Sequence, residues 1–128
     1  MPLAQNPLSV QVSRVRDDVA LVTVAGHLDF DTASEFQQRL LEQLREGRRH
    51  LLLELSSVPF MDSSGMNAVL RVHHEAAERS GSVHVMAPAA AVRRVLDLTG
   101  VSTMVPVSDG VDAALALVDG PASRRREA

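Results

Sequence analysis

Short apolar runs that read as strands alternate along this chain with segments of helical period, and that alternation constrains the fold more than any other feature. Val10, Val12 and Val15, then Val19, Leu21, Val22 and Val24, make two β-branched runs split by Asp17-Asp18, the pattern of a hairpin. A helix is expected from about Thr32, because Ala33, Phe36, Leu40, Leu41 and Leu44 recur at helical spacing. Thr32-Ala33-Ser34-Glu35 has the capping-box form, in which hydroxyl and carboxylate each satisfy a free amide; Gly47 with Arg48-Arg49 suits the helix end. Leu51-Leu52-Leu53-Glu54-Leu55 is nearly all apolar, as expected of a strand covered on both faces. A second helix should follow Asp62-Ser63-Ser64-Gly65, with Met66, Val69, Leu70, His73 and Ala77 on one side and Gly81 closing it.

Beyond it the pattern predicts a strand from Val83 to Ala87, then a third helix opened by Pro88, carrying Val92, Val95 and Leu96 and stopped by Gly100. A last short strand from Met104 to Val107 contains Pro106 and so belongs at an edge. Val111, Ala114, Leu115 and Val118 outline the final helix. The order ββαβαβαβα implies an α/β fold: one mixed, mostly parallel sheet with an N-terminal antiparallel hairpin and about four helices. The 128 residues fit a single domain. Residues 1–7 are expected to be a flexible lead-in, 8–119 the domain, and 120–128 a disordered polar tail.

Composition removes several function classes. With no cysteine, disulfides, thiolate zinc sites and cysteine nucleophiles are excluded. No apolar run approaches the ~20 residues of a membrane span and no secretory signal is visible, so a cytoplasmic chain with no membrane partner is expected. The formal charge is −3, all 13 basic residues are arginine, and three of those form Arg124-Arg125-Arg126. That distribution offers no concentrated basic face for nucleic acid. The absence of lysine removes every mechanism that needs one.

In an open α/β sheet, ligands and reactive groups gather beyond the carboxyl ends of the strands. Two segments fall there: Gly26-His27-Leu28-Asp29-Phe30-Asp31-Thr32, and Phe60-Met61-Asp62-Ser63-Ser64-Gly65. The second puts its hydroxyls in the first turn of a helix, where free amides carry partial positive charge and can receive a phosphate. Asp and Ser are also the commonest helix caps, which is the structural alternative at these positions and at Asp29, Asp31 and Thr32.

These residues carry a resemblance. Gly26-His27-Leu28-Asp29 leading into Thr32-Ala33, the strand from Leu51 to Ser56, Val58 to Met66, and Val92-Arg93-Arg94-Val95-Leu96-Asp97-Leu98-Thr99-Gly100 resemble a STAS domain of the bacterial anti-sigma factor antagonist kind. The likeness spans roughly residues 8 to 118. Family members often have Asp where Glu54 stands and Gly where Asn67 stands. The resemblance implies that Ser63 is phosphorylated by an ATPase-fold partner that is both anti-sigma factor and serine kinase, Ser64 being the alternative acceptor. It further implies that the unmodified chain binds that partner and frees a sigma factor, that phosphorylation reverses the binding, and that a serine phosphatase restores it. Asp29, Thr32, Asp62, Ser63, Ser64, Gly65, Met66 and Asn67 are the expected partner-binding residues, with no catalytic residue, no metal and no cofactor. STAS domains also serve in sensory scaffolds and lipid-transport machinery, and some bind nucleotides.

Other classes fit less well. A receiver domain would need an acidic pair ending its first strand and a lysine after its last; here Asp17-Asp18 falls in the hairpin turn and lysine is absent. Asp29-Phe30-Asp31-Thr32 resembles the nucleophile motif of haloacid-dehalogenase-type phosphatases, but Gly26-His27 separates it from its strand, and Asp109-Gly110-Val111-Asp112 fits a helix cap better than a magnesium site. Ser63 lacks the Gly-x-Ser-x-Gly elbow of a hydrolase, having Met61 and Gly65 at its flanks. His73 and His74 point about 100° apart on a helix, which disfavours a joint metal site, and His73 falls on the apolar side. His27, His50 and His84 show no ligand spacing.

Overall fold

The computed structural model describes residues 8–120. Its elements are β1 (Ser9–Arg16), β2 (Val19–Ala25), α1 (Ala33–Arg45), β3 (His50–Ser57), α2 (Ser63–Glu78), β4 (Ser82–Met86), α3 (Ala90–Leu98), β5 (Val107–Ser108) and α4 (Val111–Val118). The expected lead-in over 1–7 and the tail beyond Gly120 lie outside the described residues.

The strands form one sheet in the order β1-β2-β3-β4-β5, with β1 antiparallel to β2 and all other pairs parallel. Because each parallel strand is added on the same side of its predecessor, right-handed crossovers put α1, α2 and α3 on one face. The pleat sends Val10 and Val12, Ala20, Val22 and Val24, Leu51, Leu53 and Leu55, and Val83 and Val85 to that face. There they meet Phe36, Leu40 and Leu44 of α1, Val69 and Val72 of α2, and Val92 and Leu96 of α3 in the main core. α4 covers part of the opposite face, where Ala114 and Val118 pack with Val19, Leu52 and Met86 in a smaller core. β3 is therefore covered on both faces only at Leu52; His50 and Glu54, which share its side, are half-buried.

Four local expectations need correction. Thr32 sits at the N-cap of α1 but its side chain makes no cap hydrogen bond there, because its hydroxyl is engaged within the preceding loop. The buried side of α2 runs through Gly65, Met66, Ala68, Val69, Val72 and Ala76, so Val72 and Ala76 replace His73 and Ala77, and the helix is rotated by about one residue. β4 begins at Ser82 and ends at Met86, before Ala87 turns at a φ of 49°. The last strand is Val107–Ser108 and not Met104–Val107: Val101–Thr103 forms a 3-10 turn in which Met104 and Val105 donate to the Val101 carbonyl. Pro106, lacking an N–H, still accepts from the Val85 amide, and β5 does lie at the edge of the sheet.

Candidate functional site

At the carboxyl end of the parallel strands two loops are stitched together. Gly26 donates its amide to Ser57 O at 3.1 Å, Leu28 to Phe60 O at 3.1 Å, and Asp62 to Leu28 O at 3.1 Å. Leu28 and Met61 form a parallel bridge, and both side chains are buried. The ladder between β2 and β3 thus continues past the strands and fixes the loop before α1 against the loop before α2.

The first loop is further locked by Asp29. Its Oδ1 accepts from the amides of Asp31 at 3.0 Å and Thr32 at 3.3 Å, while Asp29 N donates to Thr32 Oγ1 at 3.0 Å. Thr32 Oγ1 donates to His27 O at 2.7 Å. Asp29 and Thr32 are half-buried and spend their polar groups on the loop itself. Asp31 is exposed.

The second loop opens α2. Asp62 is its N-cap, in extended conformation, and its Oδ1 accepts from Ser64 N at 2.8 Å and Gly65 N at 3.2 Å. Met66 N is already bonded to Asp62 O at 3.0 Å. Of the four leading amides, only that of Ser63 has no partner among the described residues. Ser63 is exposed and its hydroxyl makes no hydrogen bond there, whereas Ser64 is half-buried. Gly65 is buried: a Cβ on it would come within 2.8 Å of Leu28 O and 2.9 Å of Leu28 Cβ. The first turn of α2 lies directly on the other loop, which only glycine permits. Met66 is 8% exposed and belongs to the core, so it supports the surface from beneath, while Asn67 is exposed.

Two neighbours went unread in the sequence. Phe30 is 81% exposed and Phe60 49%, the latter in edge-to-face contact with the His27 ring at 6.1 Å. The available signal was the scarcity of aromatics: of three phenylalanines only Phe36 is buried.

At the opposite end of the sheet a second polar group forms. His50 and Ser82 are paired across β3 and β4, and His84 follows two residues on, so the pleat brings all three to one face although their sequence spacing showed nothing. Ser82 Oγ lies 2.7 Å from His50 Nδ1 and 2.8 Å from His84 Nε2. His84 is 3% exposed, and burial, with His50 nearby, pushes its pKa down to about 4. Burial also lowers that of His50, against an opposing pull from Asp18, whose Oδ2 stands 3.9 Å from His50 Nε2. The buried His84 Nδ1 has no partner among the described residues. A buried lone pair is tolerated better than a buried N–H, so the consistent assignment has His84 Nε2–H donating to Ser82, Ser82 to His50 Nδ1, and His50 Nε2–H facing Asp18. Among the described residues no group of three or more His, Asp or Glu could hold a metal ion. His73 is half-buried, with its Nδ1 buried and without a partner among the described residues.

Fold and sequence agree on a class. The model of the STAS domain family matches residues 11–114. This chain belongs to the STAS domain family. It is 29% identical over 98 residues to the anti-sigma F factor antagonist of Paenibacillus polymyxa, covering 76% of this chain and 84% of that one. It is 25% identical over 96 residues to the anti-sigma-B factor antagonist of Staphylococcus epidermidis, covering 75% and 89%. A crystal structure of an anti-sigma factor antagonist from Mycobacterium paratuberculosis superposes with a TM-score of 0.80 at 27% identity, over 91% of this chain and 98% of that one. No helix among the described residues is long and apolar enough to cross a membrane.

Proposed function

We propose that this chain is a cytoplasmic anti-sigma factor antagonist that works by binding, not catalysis, and is switched by phosphorylation of Ser63. One observation carries the reading: in a STAS domain, Ser63 presents an exposed, unbonded hydroxyl at the first turn of α2, on a loop held rigid by Asp62 and by the Leu28 bridge. The half-buried position of Ser64 favours Ser63 as the acceptor.

The unmodified chain binds an anti-sigma factor that is also a serine kinase, and a sigma factor is released. The kinase transfers the γ-phosphoryl group of ATP to Ser63 Oγ, leaving ADP and a displaced hydroxyl proton. The phosphate adds about −1.5 to −2 charges. Asp62 already occupies the amides of Ser64 and Gly65, so the phosphate finds only the Ser63 amide and water on its own chain. The fold accommodates it at the exposed surface, but a closed interface leaves a dianion beside Asp62 with neither solvent nor partner. Dissociation follows, and a serine phosphatase resets the chain.

Incubation with the kinase and ATP tests this by intact mass. The wild type gains one phosphate and loses affinity for the anti-sigma factor; Ser63→Ala gains none and keeps binding. Continued incorporation of one phosphate by Ser63→Ala overturns the assignment.

A further inference from the structure

We propose that Phe30 and Phe60 are the apolar anchors of the partner interface, and that the partner presents to them a hydrophobic recess bordered by arginine or lysine. This rests on the reading of the Ser63 loop as the partner surface and adds to it what holds the partner there.

The chain has three aromatic residues. Phe36 is in the core, and the other two stand exposed on the two loops that the Leu28 bridge joins. Phe60 is three residues before Ser63 and Phe30 is two residues after Leu28. An exposed phenylalanine leaves apolar surface in water, which a partner can bury. Neither ring is on a floppy tip. Asp29 and Thr32 lock the backbone on both sides of Phe30, and Phe60 is bound through its carbonyl to Leu28 N and through its ring to His27. Such preorganised aromatics give binding energy with little entropy lost.

Charge states the rest of the partner's chemistry. No cationic residue occurs between Arg16 and Arg39 or between Arg49 and Arg71, the stretches that contain both loops. Within the same stretches Asp31 and Glu35 are exposed and Asp62 is half-buried. Two apolar anchors on loops whose charged side chains are Asp29, Asp31 and Asp62 are complementary to a cationic rim about an apolar recess.

The test titrates the purified anti-sigma factors of the source cell against the wild type, Phe30→Ala, Phe60→Ala and Leu117→Ala. Leu117 is 49% exposed on α4, across the sheet, and controls for general apolar contact. Circular dichroism confirms that each variant is folded. Phe30→Ala and Phe60→Ala should each raise the Kd of the cognate factor about tenfold or more, as truncated hot spots do, and Leu117→Ala should leave it within twofold. Wild-type binding with Phe30→Ala within twofold of it overturns the inference and leaves the Ser63 reading intact. Equal losses in Leu117→Ala overturn it as well, by moving the contact to the other face. A wild type that binds none of these factors defeats the underlying reading, and the anchors with it.

Discussion

The two ends of the sheet each hold a small polar group containing serine, and they are built on opposite principles. At the amino ends of β3 and β4, Ser82 is bonded to two imidazoles and closed in; at the carboxyl ends, Ser63 is exposed with its hydroxyl unbonded. The first site spends most of its hydrogen-bonding capacity within the fold; among the described residues the Nδ1 of His84 has no partner and the Nε2 of His50 stands 3.9 Å from Asp18. The second keeps its capacity free while its supporting atoms, Asp29, Thr32 and Asp62, are used up beneath it. A polar residue in this fold is therefore read by what remains unsatisfied at its surface, not by its type.

The comparison is broken most severely through the glycines that allow each end to close. A Cβ on Gly81, beside Ser82, would fall 1.9 Å from Arg49 O, and one on Gly65 would fall 2.8 Å from Leu28 O. Both obstacles are backbone, so neither can rotate away. Gly81→Ala must push the start of β3 from β4 and should cost more than about 3 kcal/mol, while Gly65→Ala should cost about 1–3 kcal/mol by the overpacking scale. Urea midpoints at pH 7.5 check the ranking; a Gly81→Ala chain as stable as the wild type would show that the two ends do not differ in this way.

Proton binding sharpens the same contrast at the back. Burial, and the nearby His50, push the pKa of His84 down to about 4 in the fold from near 6.5 when unfolded, and protonation would place an N–H at the buried Nδ1, which has no partner among the described residues. The unfolded chain thus binds the proton more readily between those values. The associated stability is complete above pH 6.5 and falls as pH drops towards 4, by up to about 3 kcal/mol. The lowered pKa of His50 adds in the same direction. Urea midpoints measured between pH 5 and 7.5 should decline on acidification in the wild type and decline less in His84→Gln, which keeps a polar side chain without the titration. Parallel curves for the two proteins would refute the role given to His84.

The front end was legible in the sequence because its contacts are local. Asp62 reaches amides two and three residues ahead, and the apolar run before it must be a strand, so motif and position can be read together. The alternation of periods likewise indicated the order of elements along the chain, with the hairpin split at Asp17-Asp18. The back end was not legible. His50, Ser82 and His84 meet only through the pairing register of β3 with β4, which no spacing along the chain encodes. The inward side of α2 differs by one residue from the expected one: Ala76 and Ala77 are equivalent in a helical plot, and Val72, not His73, is the apolar choice; contact with α1 and β4 decides between them. Phe30 and Phe60 were passed over because an apolar residue in a loop reads the same whether it is buried or exposed. The capping box at Thr32 does not form because Asp29, three residues earlier, accepts from the Thr32 amide through Oδ1 and donates its own amide to the Thr32 hydroxyl oxygen.

The smallest expected effect discriminates best at the front. Asp62→Ala removes the cap on α2 and should cost about 1 kcal/mol, whereas Ser63→Ala, on an exposed unbonded hydroxyl, should stay within about 0.5 kcal/mol of the wild type. Phosphorylation separates them further. In the wild type the phosphate meets a helix end whose amides Asp62 already holds, so it should leave stability unchanged or lower it slightly. In Asp62→Ala the amides of Ser64 and Gly65 are released, the neighbouring negative charge is gone, and the phosphate can take the cap's place. The phosphorylated variant should then be more stable than its unphosphorylated form by about 0.3–1 kcal/mol, the usual range for an anion at a helix N-terminus. Thermal unfolding of the four species at low salt reads this change of sign. A phosphate that stabilises the wild type as much as the variant would mean that Asp62 yields its amides to it.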